Sequence, residues 1–201
     1  MSAALLHRYR HRSPRYWKPI QTGIEHDDDT AEVRRLAARG PGAVLAAGVR
    51  LPGRWSPHLA ARLAGSTIDI DAVLAAASGA GATSLVVEGA GGVLVPLNPT
   101  ELLVDFIGRS GLPVVVVARS TLGTINHTVL TIEALTRRAV PIAGVVMVGP
   151  PNADNRMAIE HYGGVRVLGE LPPLEPLGPE TLGDWADSAL DVDGHLDGWL
   201  A

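Results

Sequence analysis

The sequence predicts an α/β domain of three layers, with a mostly parallel sheet between helices. Two observations carry that prediction. Short β-branched runs alternate with alanine-rich stretches of helical pattern. The β-branched runs are continuously apolar instead of alternating, which implies burial on both faces, as in a parallel sheet. Of the 201 residues, 46% are hydrophobic and 19% charged. That balance supports one sizeable core and excludes a disordered chain, so residues 1–201 are read as a single domain.

The elements follow in order. Arg8, Arg10, Arg12, Arg15 and Lys18 all precede the first acid, Glu25. Transit peptides share this bias, but residues 2–6 are too short for the apolar segment of a signal and no small-residue cleavage site follows. A soluble cytoplasmic protein is the expectation. Residues 15–20, ahead of a Gly turn, read as a strand end, and residues 30–39 as a helix. Residues 40–53 and 172–179 are rich in Gly and Pro and read as loops. Buried strands are expected at 84–88, 113–118 (four valines in a row), 141–148 and 165–171. Helical patterns cover 68–77, 100–109, 125–138 and 152–162, giving the β-α-β-α order of right-handed parallel crossovers.

Composition excludes several functions. The net charge of −4 argues against sequence-independent nucleic-acid binding, and the four tryptophans are scattered rather than set out as a stacking platform. With no cysteine, disulfides, thiolate zinc sites and a cysteine nucleophile are ruled out. The seven histidines show no metal-ligand spacing. The longest apolar runs, such as 112–118, are too short to span a bilayer. No G-x-S-x-G elbow is present.

Ligands of parallel α/β sheets bind beyond the C-terminal strand ends, and four segments there carry chemistry. Lys18, in YWKPIQTG, is the only lysine. An ammonium is a compact point charge suited to a single phosphoryl or carboxylate oxygen; the plainer reading is a surface lysine beside a proline turn. Asp27, Asp28 and Asp29 precede Thr30 at a helix start, either favouring the helix dipole or supplying a Mg²⁺ ligand. Glu88 ends an apolar strand and opens the glycine-rich segment EGAGGVLVPL. There a carboxylate could hold Mg²⁺ and backbone N–H groups could approach an anion; otherwise it is a tight turn before a hydrophobic strand. Residues 120–127 (STLGTINH) open a long helix, whose free N–H groups suit a carboxylate or phosphate, unless Ser120 or Thr124 simply caps it. His127 reads as a first-turn residue packing against a loop, with general-base chemistry as the sharper option; His58, in Ser-Pro-His, has the same two readings. A lysine, one or two carboxylates and two anion-binding turns are a kit for phosphoryl transfer.

These residues carry a resemblance. YWKPIQTG (16–23), Asp28-Asp29-Thr30, Ser56-Pro57-His58, EGAGGVLVPL (88–97) and LGTINH (122–127) resemble, in the same order, the dethiobiotin synthetase family. The resemblance implies a P-loop NTPase type of α/β fold, a cytoplasmic homodimer, and ATP with Mg²⁺. The implied reaction adds CO₂ to 7,8-diaminononanoate, phosphorylates the carbamate and closes the ureido ring in biotin synthesis. Lys18 would be the catalytic lysine and Thr22 a substrate contact. Asp29 (or Asp28) and Glu88 would hold Mg²⁺. Glu88, Gly89, Ala90 and Gly91 would line the nucleotide phosphates. Gly123, Thr124, Ile125 and Asn126 would receive the substrate carboxylate near the dimer interface. Val148 and Gly149, with the loop Leu171, Pro172 and Pro173, would lie at the nucleotide base.

Two departures accompany the resemblance. The family begins with a strand and a glycine-rich phosphate loop ending in Gly-Lys-Thr, whereas residues 2–8 (SAALLHR) look like the helix after that loop. Lys18 belongs to another motif, so the loop is not hidden elsewhere. The expectation is an N-terminally truncated form of low ATP affinity, with roughly 20 residues (one strand and a loop) preceding Met1 in the full reading frame. A sheet without that strand has an unpaired edge. The alternatives are a non-catalytic homologue acting as a binding protein, or an amide ligase of the cobyrinate synthetase type. The second departure is Val148-Gly149, where many members place a base-reading asparagine; it leaves the nucleotide preference open.

Overall fold

The computed structural model describes residues 1–78 and 84–199, in two compact units: residues 2–110 and residues 111–201. Every strand pairing in both is parallel. An isolated antiparallel bridge joins Pro96 to Leu102. The chain is an α/β protein.

The first unit contains α1 (Ser2–Arg8), β1 (Arg15–Trp17), β2 (Ile20–Thr22), α2 (Asp29–Leu36), β3 (Val44–Leu45), β4 (Val49–Leu51), α3 (Pro57–Leu63), α4 (Ile70–Ser78), β5 (Leu85–Val87) and α5 (Leu103–Ser110). Its strands form two ladders, β3-β1-β5 and β2-β4. The expected strand over 15–20 is broken at Lys18-Pro19, where proline has no N–H for a ladder. β1 and β2 therefore pair with different neighbours: Trp17 lies opposite Leu45 and Val87, Ile20 opposite Val49. The stretch 40–53 is not the loop its composition suggests, because it contains β3 and β4. Each is only two or three residues long, too short to show a period. Nor does a hydrophobic strand follow Glu88; residues 93–94 form a turn.

The core of this unit gathers Trp17, Ile20, Leu45, Leu51, Ile68, Ile70, Leu97, Leu103 and Phe106. The Trp17 and Phe106 rings lie 6.0 Å apart and tilted, and the Trp17 indole N–H donates to the Ala47 carbonyl at 2.6 Å. This packing fixes the chain immediately before Lys18. The carbonyl of Trp17 also accepts from Glu88 N at 2.9 Å, so the lysine and the glutamate leave adjacent strands side by side.

The second unit contains β6 (Val114–Arg119), α6 (Thr124–Thr136), β7 (Ile142–Val148), α7 (Ala153–Gly163), β8 (Val167–Leu171) and α8 (Pro179–Ala189), with strand order β6-β7-β8. β7 is buried along its central residues, as its unbroken apolar run predicts. The valine strand β6 is not buried on both faces: Val117 is 53% exposed. Among the described residues β6 pairs only with β7, and β5 only with β1. Edge strands lose the cover that periodicity alone assigns them. The Asn152 side chain caps α7 by accepting from Asn155 N at 2.9 Å. Asn152→Ala is expected to cost about 1 kcal/mol, measurable as a lower urea midpoint at unchanged slope.

Candidate active site

Lys18 lies just beyond β1 and is 5% exposed. A buried ammonium is costly unless every proton has an acceptor, and this one has three. Its Nζ lies 2.7 Å from Asp29 Oδ2 and 2.9 Å from Glu88 Oε1, and donates to the Gly89 carbonyl at 3.1 Å. The plain surface-lysine reading is thereby set aside. Asp29 begins α2 and Glu88 follows β5, so three elements converge on one cation.

Glu88 is held on its other side as well. Its Oε2 accepts from the Tyr16 hydroxyl at 3.1 Å and from the Ser2 hydroxyl. Tyr16 is fully buried. Burial first, and then the Glu88 carboxylate, push its phenol far above the usual range, so the hydroxyl keeps its proton and acts as donor.

The acidic run divides its labour. Asp28 caps α2 by accepting from Ala31 N at 3.0 Å, Asp27 pairs with Arg54 at 3.0 Å, and Asp29 takes Lys18. The capping reading of the run therefore holds for Asp28, while Asp29 contacts Lys18.

A cavity of about 840 Å³ opens over this cluster. Lys18, Thr22, Asp28, Asp29, Ala90 and Gly91 line it. Glu88 and Gly89 grip the lysine from behind. Gly91 adopts φ +82, a conformation glycine takes without strain. Sequence reasoning missed Trp55 and Arg54, which also line the cavity. Trp55 is 54% exposed, seated against Gly53, where a Cβ would come within 2.5 Å of the indole. The available signal was an aromatic residue directly before Ser-Pro-His. His58 does not line the cavity; its ring is 3.1 Å from the Ser56 hydroxyl.

The other expected site residues belong to the second unit. There Gly149 N donates to the Leu171 carbonyl at 2.9 Å and Ser120 N to that of Val148 at 3.0 Å, gathering the C-terminal ends of β6, β7 and β8. Pro172 and Pro173 continue from β8. Gly123 begins α6 at φ +90 with no side-chain cap, ahead of Thr124, Ile125 and Asn126. Thr124 and Ser120 do not cap the helix. The Thr124 hydroxyl donates to the Arg119 carbonyl, and Ser120 Oγ is buried without a partner. His127 does not pack against a loop; it is exposed on α6.

The described residues hold no cluster of three or more His, Asp or Glu side chains fit for a metal ion. Two carboxylates beside one cavity do fit a Mg²⁺ ion, which takes one or two carboxylates and completes its shell with phosphate and water. No helix among the described residues is long and apolar enough to cross a membrane.

A buried cation thus lies between two carboxylates, beside a glycine turn at a strand end of a parallel α/β scaffold. The AAA domain family matches residues 1–181. The chain is 49% identical over 170 residues to the ATP-dependent dethiobiotin synthetase of Paramagnetospirillum magneticum, covering 83% of this chain and 79% of that protein. It is 46% identical over 167 residues to the enzyme of the same name from Rhodopseudomonas palustris, covering 83% and 78%. A biotin biosynthesis bifunctional protein of Bordetella avium is 43% identical over 182 residues, 90% of this chain but 38% of that protein. The chain belongs to the dethiobiotin synthetase family.

Proposed function

We propose that residues 1–201 act as one domain of a cytoplasmic, homodimeric dethiobiotin synthase that uses MgATP, with Lys18 as its catalytic lysine. Family membership makes the chain an ATP-dependent cyclo-ligase of biotin synthesis. The observation that supports the residue assignment is the buried Lys18 ammonium between Asp29 and Glu88 at the wall of the cavity.

One amine of 7,8-diaminononanoate attacks CO₂, forming an N–C bond and releasing a proton to give the carbamate. ATP transfers its γ-phosphoryl group to a carbamate oxygen, leaving ADP. The second amine attacks the same carbon and gives up a proton, the C–O bond to phosphate breaks to release inorganic phosphate, and the ureido ring closes. Lys18 stabilises the carbamate and the transferring phosphoryl oxygens. All three of its protons are engaged by the protein, so a substrate oxygen must displace one partner. Asp29, on the cavity wall, gives way. Thr22 contacts the diamine, and the uncapped start of α6 at Gly123, Thr124, Ile125 and Asn126 receives its carboxylate. Glu88, Gly89, Ala90 and Gly91 serve the phosphates; Val148, Gly149, Leu171, Pro172 and Pro173 serve the base.

Asp29 and Glu88 would hold Mg²⁺, which when bound neutralises phosphate charge. Asp29→Asn is expected to raise the Mg²⁺ concentration for half-maximal rate about tenfold or more, the scale of losing a ligand-sphere contact, as read from a Mg²⁺ titration at fixed ATP. The reading as a whole is tested by incubating the chain with the diamine, bicarbonate and MgATP. ADP release that requires the diamine supports it. ADP release indifferent to the diamine rejects it.

A further inference from the structure

Lys18 is held by Glu88, yet a free glutamate side chain has three rotatable bonds and would position nothing by itself. Its carboxylate offers about four acceptor positions. Oε1 faces Lys18 at 2.9 Å, and Oε2 takes the hydroxyls of Tyr16 and Ser2. The two hydroxyls arrive from different elements, Tyr16 from the middle of β1 and Ser2 from the first turn of α1. α1 packs on β1 and β5, the strands that lead to Lys18 and Glu88. A carboxylate pinned through one oxygen by two separate elements presents the other oxygen in a fixed direction.

We propose that the Tyr16 and Ser2 hydroxyls are positioning groups for Lys18, acting through Glu88. The proposal rests on Lys18 being the catalytic lysine. Neither hydroxyl lines the cavity, so neither needs to touch substrate. Their work is to keep Glu88 Oε1 aimed at the ammonium. If Tyr16 were only a core residue, its ring would matter and its hydroxyl would not; Tyr16→Phe separates the two.

The sequence supplies an unusual probe, since Lys18 is the only lysine. Protein labelled with ¹⁵N-lysine gives one side-chain ammonium signal, observable without substrate or nucleotide. In Tyr16→Phe that signal is expected to shift and its proton exchange to quicken about tenfold. The kcat is expected to fall about tenfold, with KM for the diamine within twofold, on the scale of removing an outer-shell hydrogen bond. Ser2→Ala, which leaves the core ring intact, is expected to act in the same direction and decides the matter should Tyr16→Phe fail to fold. An unmoved Lys18 signal in the folded variants overturns the proposal. A moved signal in a protein without diamine-dependent turnover upholds the positioning and rejects the dethiobiotin synthase reading instead.

Discussion

Lys18→Ala is expected to lower the rate of ring closure by about 10²–10³-fold, the loss that follows removal of one preorganised donor from a developing anion. The ammonium contacts both Asp29 and Glu88. Without it, Asp29 on the cavity wall and Glu88 beside it carry uncompensated negative charge where an anionic carbamate and a phosphoryl group must meet, and that charge repels both. Breaking a fully buried ion pair costs about 3–5 kcal/mol. Here the Glu88 and Asp29 side chains are 31% and 38% exposed, so water screens the orphaned charges and a stability loss of about 1–2 kcal/mol is expected. The damage falls on catalysis more than on folding. Steady-state kinetics beside thermal unfolding separate the two, and turnover within tenfold of the parent would remove Lys18 from the mechanism. Lys18→Arg is not a rescue, because a planar fork cannot occupy a buried site built around a compact point charge.

The second large effect lies outside the cavity. Gly48 has φ +146, and a Cβ there would sit 2.7 Å from the Pro19 carbonyl oxygen and 3.0 Å from that of Lys18. Both obstacles are backbone and cannot rotate away. The next residue, Val49, donates its N–H to that Pro19 carbonyl at 2.8 Å, so the close approach is what joins the start of β4 to the Lys18-Pro19 break. Gly48→Ala is expected to cost about 1–3 kcal/mol through overpacking, with left-handed backbone strain added to it. It should also displace Lys18 and cut kcat well beyond what the stability loss explains. Gly42→Ala is the control, with nothing within 4 Å of its Cβ, and should change neither. Urea unfolding and kcat on the same two variants decide it; equal behaviour would mean the Pro19 contact is slack.

Much of this was legible in the residues. The valine run of β6, the apolar run of β7 and the helical pattern of α6 name their elements, because each is long enough for a period to show. β3 and β4 are not legible: they are two and three residues long and owe their existence to parallel partners in β1 and β2. Exposure of Val117 is equally unreadable, since it depends on which strand lies beside β6 and not on β6 itself. At the site, the lone lysine and the strand-ending glutamate announce themselves by type. That one acid of the run caps α2 while its neighbour grips Lys18 depends on helix phase at the first turn, which sequence leaves open between Asp28 and Asp29. Tyr16 and Ser2 carry no local signal at all, because their hydroxyls reach Glu88 across 72 and 86 residues of chain.

The burial of a solitary lysine has a practical consequence. An acylating reagent at neutral pH has two classes of amine to find on this chain, the terminal one and Lys18. The second is shielded until β1 and its surroundings part. The rate at which Lys18 becomes modified, read by mass, is therefore a gauge of how often this corner of the molecule breathes open. A ligand that fastens the cavity should slow that reaction in proportion to its occupancy.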